Sequence, residues 1–407
     1  MHKLLLLLVS PLAALNLYSQ GFQVNFQGQK QQGMGLAGTA LSEDASALFY
    51  NPGGVAFVQK NEVNAGFSPI FANSLFVDSA SGEGYRTKSP MGTPFSAYAL
   101  LGFKKMESLK VGLAVYTPFG STIQYEDGWI GRFALTKLSL KSIYFQPTVS
   151  YKINDHFGFG AGFVIATGEV NLQKDIPVQF SDGSFAHAEL SGKALGFGYN
   201  LGLNAKVNEH LSLGLTYRSK VSMKVKDGDA TFTVPESLSS NFPNGPFTSS
   251  LPLPSVLTLG GSYDTGKKWQ FVLDINYVGW KAYDTLAFDY ETNTASLVDT
   301  KSARKYKSIL AFRGGANFKA TEMIAVRLGG GYGFSPVQSG YVTPESPDGN
   351  RIYGTAGLGF KFSEHFNLDL SFYYTYIKRT DRNLESNLQG TFTTIAISPG
   401  IGLSYKW

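Results

Sequence analysis

The amino-acid sequence predicts an all-β protein: a 14-stranded antiparallel transmembrane β-barrel with a small N-terminal hatch, or plug, that contains short helices. Three observations point there. An apolar leader opens the chain. The rest alternates apolar with small or polar residues in segments of ten to eighteen. Short breaks between those segments alternate with long ones.

The leader comes first. Met1-His2-Lys3 is a short positive start, and residues 4–17 form an apolar run interrupted by Pro11. That run is too short to span a bilayer, and Ser19-Gln20 offers a cleavage point. Residues 1–20 therefore read as a secretory signal peptide, residues 21–60 as the hatch and residues 61–407 as the barrel.

Composition agrees with an exported β protein. The 407 residues include 46 Gly, 31 Phe and 22 Tyr, and only 16% are charged, against about 25% in ordinary domains. Cysteine is absent, so there is no disulfide framework and no thiolate metal site. No later run is long and apolar enough for a membrane helix. The net charge of +5 is scattered, which argues against a nucleic-acid surface.

The hatch begins with a decoy. Gly33, Gly35 and Gly38 spell the G-x-G-x-x-G of a dinucleotide-binding turn. That turn needs a buried strand before it and an acid roughly 20 residues after it. Here Val24 and its polar neighbours precede it, Glu43 and Asp44 come too early, and Asn51-Pro52-Gly53-Gly54 stands where the acid belongs. The glycines read instead as backbone that must lie close to other backbone. Ser42-Glu43-Asp44 can start a helix, Ala45 to Tyr50 continue it, and Pro52 ends it through the residue before it.

From Asn61 onward the strands follow. In 366–376, Phe366, Leu368, Leu370, Phe372, Tyr374 and Tyr376 share one face, and Asn367, Asp369, Ser371, Tyr373 and Thr375 the other. In 211–218, Leu211, Leu213, Leu215 and Tyr217 oppose Ser212, Gly214, Thr216 and Arg218. Short turns fall at Asn154-Asp155-His156, Asn208-Glu209-His210 and Ser363-Glu364-His365, and near 105–108, 264–268 and 319–322. Long connections fall near 73–92, 118–136, 175–192, 227–253, 282–303, 338–349 and 380–391.

An even number of strands with one short-turn side and one long-loop side describes an outer-membrane barrel of a Gram-negative bacterium. Lipid offers backbone amides no partner, so the sheet must close. Trp269, Phe271, Leu273, Ile275 and Tyr277 share the outward parity of one strand. They cover about 19 Å of height at a 45° tilt, most of the apolar band. Trp280 has inward parity. Leu403, Tyr405 and Trp407 close the chain on aromatics, as barrels handed to assembly machinery do. A barrel this wide is not filled by its own side chains, which gives the hatch its place.

Gly21-Phe22-Gln23, the glycine-rich stretch, Asn51-Pro52-Gly53, Pro118-Phe119-Gly120, Trp129-Ile130-Gly131-Arg132, Leu215-Thr216-Tyr217-Arg218-Ser219 and Ser335-Pro336-Val337 occur in an order that resembles the FadL/TodX transporters. These carry long-chain fatty acids and other hydrophobic molecules across the outer membrane. The resemblance covers nearly the whole mature chain, and the family's Asn-Pro-Ala hatch motif reads Asn-Pro-Gly here. It implies a monomer with a third strand kinked at Pro118, Phe119 and Gly120, opening a lateral gate toward outer-membrane lipid and lipopolysaccharide. It also places the family's inner-site arginine on Lys174 and its inner-site lysine on Lys301 or Arg304. Phe232, Leu238, Phe242, Phe247 and Leu251 of loop 227–253 suggest a landing groove for the ligand.

The function expected is passive uptake of hydrophobic molecules, with long-chain fatty acids foremost. Uptake of aromatic or other hydrocarbons and a general porin or adhesin are the alternatives. No enzyme, cofactor or metal is expected. His156, His210 and His365 occupy equivalent turns, and His187 stands alone in a loop, which suits neither a nucleophile's base nor a metal cluster.

Overall fold

A computed structural model describes residues 21–407; the expected signal peptide lies outside the described residues. Fourteen antiparallel strands form the wall. The first is Glu62–Phe67 continued by Phe71–Asp78, the second Gly84–Arg86 with Phe95–Phe103, and the third Met106–Tyr116 with Gly120–Gln124. The fourth to sixth are Lys137–Lys152, Phe157–Gln179 and Phe185–Lys206. Next come Leu211–Arg218 with Val221–Thr233, and Gly245–Leu253 with Val256–Asp264. The ninth is Trp269–Val278 with Thr285–Tyr290, and the tenth Thr300–Ala303 with Ile309–Lys319. Ile324–Gly333, Arg351–Lys361, Phe366–Arg382 and Gln389–Lys406 complete the wall.

The first strand pairs with the fourteenth from Glu62↔Lys406 to Asp78↔Gly390, so the sheet has no free edge there. The outward face carries the expected apolar girdle. Trp269, Phe271, Leu273, Ile275 and Tyr277 are all exposed, while Gln270, Asp274 and Asn276 between them are buried in the lumen. Trp280 is buried, as its parity requires.

The connections differ from the sequence reading in one respect. The segments near 175–192 and 227–253 are largely ladder, because the fifth and sixth strands run on as a pair for more than twenty residues. A membrane needs about ten residues per strand, so this ribbon stands beyond the bilayer. His187 is therefore not alone in a loop. It pairs in register with Asp175, its Nδ1 3.0 Å from Asp175 Oδ1.

On the short-turn side, three histidines repeat one contact. His156, His210 and His365 place Nδ1 2.9, 2.9 and 2.6 Å from the carbonyls of Lys206, Asp264 and Lys406. Asn154 and Asn208 each accept the amide hydrogens of the second and third residues on, tightening the turn.

Residues 21–58 fill the lumen, with short helices at Gln29–Gly33 and Ala47–Tyr50 and a 3₁₀ turn at Gly54–Phe57. The second helix starts at Ala47, four residues later than the Ser42 cap suggests. Asp44 Oδ1 accepts the Ser46 amide at 2.9 Å, holding 44–46 in a local turn. It ends where proline demands, with Asn51 extended at φ −159°.

Candidate functional site

The N-terminal segment meets the wall backbone to backbone. Gly35 sits at φ +70°, which favours glycine, and a Cβ there would come within 2.2 Å of the Gly314 carbonyl. Wall glycines answer it: a Cβ on Gly329 would meet the Gly35 nitrogen at 2.2 Å, and one on Gly315 the Met34 carbonyl at 2.5 Å. Tyr353 Oη donates to the Gly35 carbonyl at 3.0 Å, and Gly35 N donates to Thr355 Oγ1 at 2.9 Å. These glycines thus serve close packing.

Two polar anchors hold the same segment. Asp274 of the ninth strand accepts from Gly38 N at 2.9 Å, Thr39 N at 3.1 Å and Thr39 Oγ1 at 2.9 Å. Asn51 donates through Nδ2 to the Thr39 and Leu203 carbonyls, both at 2.8 Å, and accepts from Gly53 N at 3.0 Å. Ser150 Oγ donates to the Pro52 carbonyl at 2.8 Å. Gly53 has an ordinary φ of −68°, yet a Cβ on it would stand 2.7 Å from the carbonyls of Gly158 and Gly202. Space excludes alanine there.

The third strand breaks at 117–119. Up to Tyr116 it pairs in register with the second strand, and Thr117 N makes the last bond, to the Phe95 carbonyl at 3.2 Å. Contact resumes where Lys88 N donates to the Gln124 carbonyl at 2.7 Å. Between these points the third strand turns to the N-terminal segment. Val24 N donates to the Pro118 carbonyl at 2.8 Å, and Gly120 N to the Phe22 carbonyl at 3.1 Å. Proline has no amide for the ladder, so Pro118 tolerates the interruption.

Three cavities adjoin this break. An apolar chamber in the loop-side half of the lumen is lined by Phe22, Phe119, Leu138, Met223, Leu251 and Leu286 among others. Its volume is about 70 Å³. An apolar cavity that accepts benzene measures about 150 Å³, so a ligand must displace a side chain to enter. A second cavity, about 200 Å³, lies between Phe22, Ile70 and Gly120–Thr122. The third is an open basin against the outer wall, and it shares Val24, Ile70, Ala72 and Gly120–Thr122 with the second. Phe22 and Glu345 stand between chamber and second cavity. Phe22 packs edge-on against Trp280 and Tyr283, with ring centroids 6.1 and 6.0 Å away.

A model of the outer membrane protein transport protein family (OMPP1/FadL/TodX) matches residues 11–407. The chain belongs to the FadL/TodX family. Its FadL/TodX relatives include the long-chain fatty acid transport protein of Escherichia coli O6:H1, 21% identical over 88% of this chain and 87% of that protein. The fold is shared with a Pseudomonas aeruginosa FadL homologue (TM-score 0.82, 17% identity, 95% and 99% of the two chains). It is shared too with the Pseudomonas putida toluene transporter TodX (0.72, 16%, 93% and 97%). As a FadL/TodX protein, the chain is an outer-membrane transporter of hydrophobic compounds, and the family is one of channels rather than enzymes.

The residues singled out from the FadL/TodX resemblance scatter. Leu251 lines the chamber. Phe247, only 1% exposed, packs with Phe232 and Tyr290 in a closed apolar cluster, with Phe242 at its edge. The open landing groove expected there is thus corrected: the extended ribbon turns these rings inward. Lys301 is exposed at the loop side. Lys174 has inward parity but lies beyond the chamber lining. Arg304 is buried, and its Nη2 stands 2.6 Å from Glu345 Oε1. Sequence reasoning missed Glu345 and Asp274. Asp274 had a signal, a carboxylate of inward parity in a strand whose outward face is wholly apolar. Among the described residues, no group of three or more acids or histidines is gathered for a metal.

Proposed function

We propose that this protein takes up hydrophobic molecules passively, receiving them in the apolar chamber and releasing them sideways through the break in the third strand. Residues 21–60 are the hatch that closes the bore to water. The observation that carries this reading is the shared walls. Phe22 belongs to both chamber and second cavity, and Gly120, Ser121 and Thr122 to both second cavity and outer basin. A greasy molecule on that course stays out of water from loop side to lipid, which favours it by roughly 25 cal/mol per Å² of apolar surface kept dry. An open porin would leave it in water.

The Asn51-Pro52-Gly53 turn, tied to the wall at Leu203 and Ser150, to Thr39 of its own segment and across itself, is the hatch's pivot on the wall. Pro118, Phe119 and Gly120 form the lateral gate. A single closed barrel, seated in outer-membrane lipid and lipopolysaccharide, needs no second subunit. Tyr405 and Trp407 supply the aromatic end that assembly machinery reads. The E. coli relative named for fatty acids and the P. putida neighbour named for toluene bracket the cargo.

The test fills the gate. Ala72 and Ser121 both border the second cavity and the basin. Cells carrying Ala72→Trp with Ser121→Trp should lose most uptake of a labelled hydrophobic compound while the barrel still folds. Undiminished uptake by the folded variant would sink the lateral route.

A further inference from the structure

We propose that the chamber selects uncharged hydrophobic molecules over carboxylates, and that Glu345 is the residue that sets this preference. The proposal rests on the uptake reading above and names its cargo class.

The chamber lining is almost wholly apolar, with Leu138, Val170, Met223, Leu251, Leu286 and Phe288 typical. Lys141 and Glu169 border it as well, but both have outward parity and oppose one another across the fourth and fifth strands. That leaves Glu345 as the charged group with its side chain buried at the chamber, beside Tyr283. Its partner is Arg304, Nη2 to Oε1 at 2.6 Å, with the two side chains 8% and 9% exposed. The guanidinium that meets this carboxylate is thus already neutralised.

Two further cations of this half are paired and a third stands further off. Lys305 pairs with Asp284 at 3.0 Å, and Arg379 with Asp381 at 2.5 Å. Lys174 projects one inward position beyond Leu172, roughly 7 Å further along the strand. It stands within electrostatic reach of Glu385.

A carboxylate leaving water needs a cation and charge-assisted hydrogen bonds. In this chamber it would meet a guanidinium already neutralised, and the like charge of Glu345 beside it. Two carboxylates sharing one dry site repel strongly. A hydrocarbon, or a long alcohol with one hydroxyl, brings no such charge and keeps the full gain of burial. Glu345 sits on the 334–350 connection, outside the ladder, so the wall does not need it for its own hydrogen bonds.

The experiment uses the whole protein in lipid nanodiscs at neutral pH. Palmitate and cetyl alcohol, of equal chain length, each displace a fluorescent apolar probe. The wild type should bind the alcohol at least about tenfold more tightly than the acid. Glu345→Gln should raise affinity for the acid by about tenfold and change that for the alcohol by less than about threefold. The double exchange Arg304→Glu with Glu345→Arg sets a cation on the lining in place of the carboxylate and should weaken or reverse the wild-type order. Tighter binding of the acid by the wild type, or no gain for the acid in a folded Glu345→Gln, would overturn the proposal while leaving uptake intact. Failure of both ligands to bind would overturn the uptake reading with it. Should Glu345→Gln not fold, the acid-to-alcohol order in the wild type still decides.

Discussion

Replacing Asp274 by alanine should loosen the hatch without opening the wall. This carboxylate, 2% exposed, receives two backbone amides and one hydroxyl from Gly38 and Thr39. Its loss leaves two buried N–H groups without their acceptor. Each such orphan costs about 1–3 kcal/mol, so the gross penalty is about 2–6 kcal/mol. Part is offset, because the folded state no longer buries a charge. A net weakening of about 2–3 kcal/mol is the reasonable figure, and at about 1.4 kcal/mol per decade it favours local opening roughly 30- to 140-fold. Hydrogen exchange followed by mass spectrometry on the peptide covering 33–41 reads this directly. Single-channel recording should show more frequent openings. Asp274→Asn keeps one acceptor oxygen and should fall between. If exchange at 33–41 in folded Asp274→Ala stays within about threefold of the wild type, the anchor does not hold the hatch and the reasoning fails.

Two further outcomes follow from the same packing. Gly53→Ala puts a methyl 2.7 Å from the Gly158 and Gly202 carbonyls. These belong to a closed ladder that cannot step back, so about 1–3 kcal/mol should be lost and the thermal midpoint of the compact barrel on gels should drop; an unchanged midpoint would mean the wall yields. The second outcome concerns acid. Burial alone would raise the Glu43 carboxyl, but Lys30 beside it and the Gln270 amide outweigh burial and hold it at about 2, below its ordinary 4.5. A depressed carboxyl stabilises the fold above its unfolded value and loses that contribution as pH falls. The Lys30–Glu43 tie should therefore weaken from about pH 4.5 downward through about 2, seen as faster proteolysis within 21–60. The effect should be modest, since 38% of the Glu43 side chain meets solvent and is screened. Glu43→Gln should flatten the response, and an identical acid profile in that variant would refute the assignment.

The wall was legible in the sequence because period-two alternation is a local property. Trp269 to Tyr277 point outward for the same reason that Gln270, Asp274 and Asn276 point inward, and each strand declares its own parity. The alternation of short turns with long connections gave strand number and sidedness, with His156, His210 and His365 marking one side. Small residues before Asn61 announced a segment fit to lie against backbone. Legibility ended where the chain leaves the ladder. Loop 227–253 looked exposed because its flanking prolines and glycines read as loop, yet ribbon pairing folds Phe232 and Phe247 inward.

What the sequence by itself determined is the cylinder, its greasy exterior and the presence of something small and glycine-rich to fill it. Only the tertiary structure decided that Gly35 meets Gly329, that Asp274 receives Gly38 and Thr39, and that Arg304 lies against Glu345. Strand parity is written in neighbouring residues. Which side chains meet inside the bore depends on the register of fourteen strands and on the paths of their connections, a sum over the whole closed sheet that no short stretch of sequence contains.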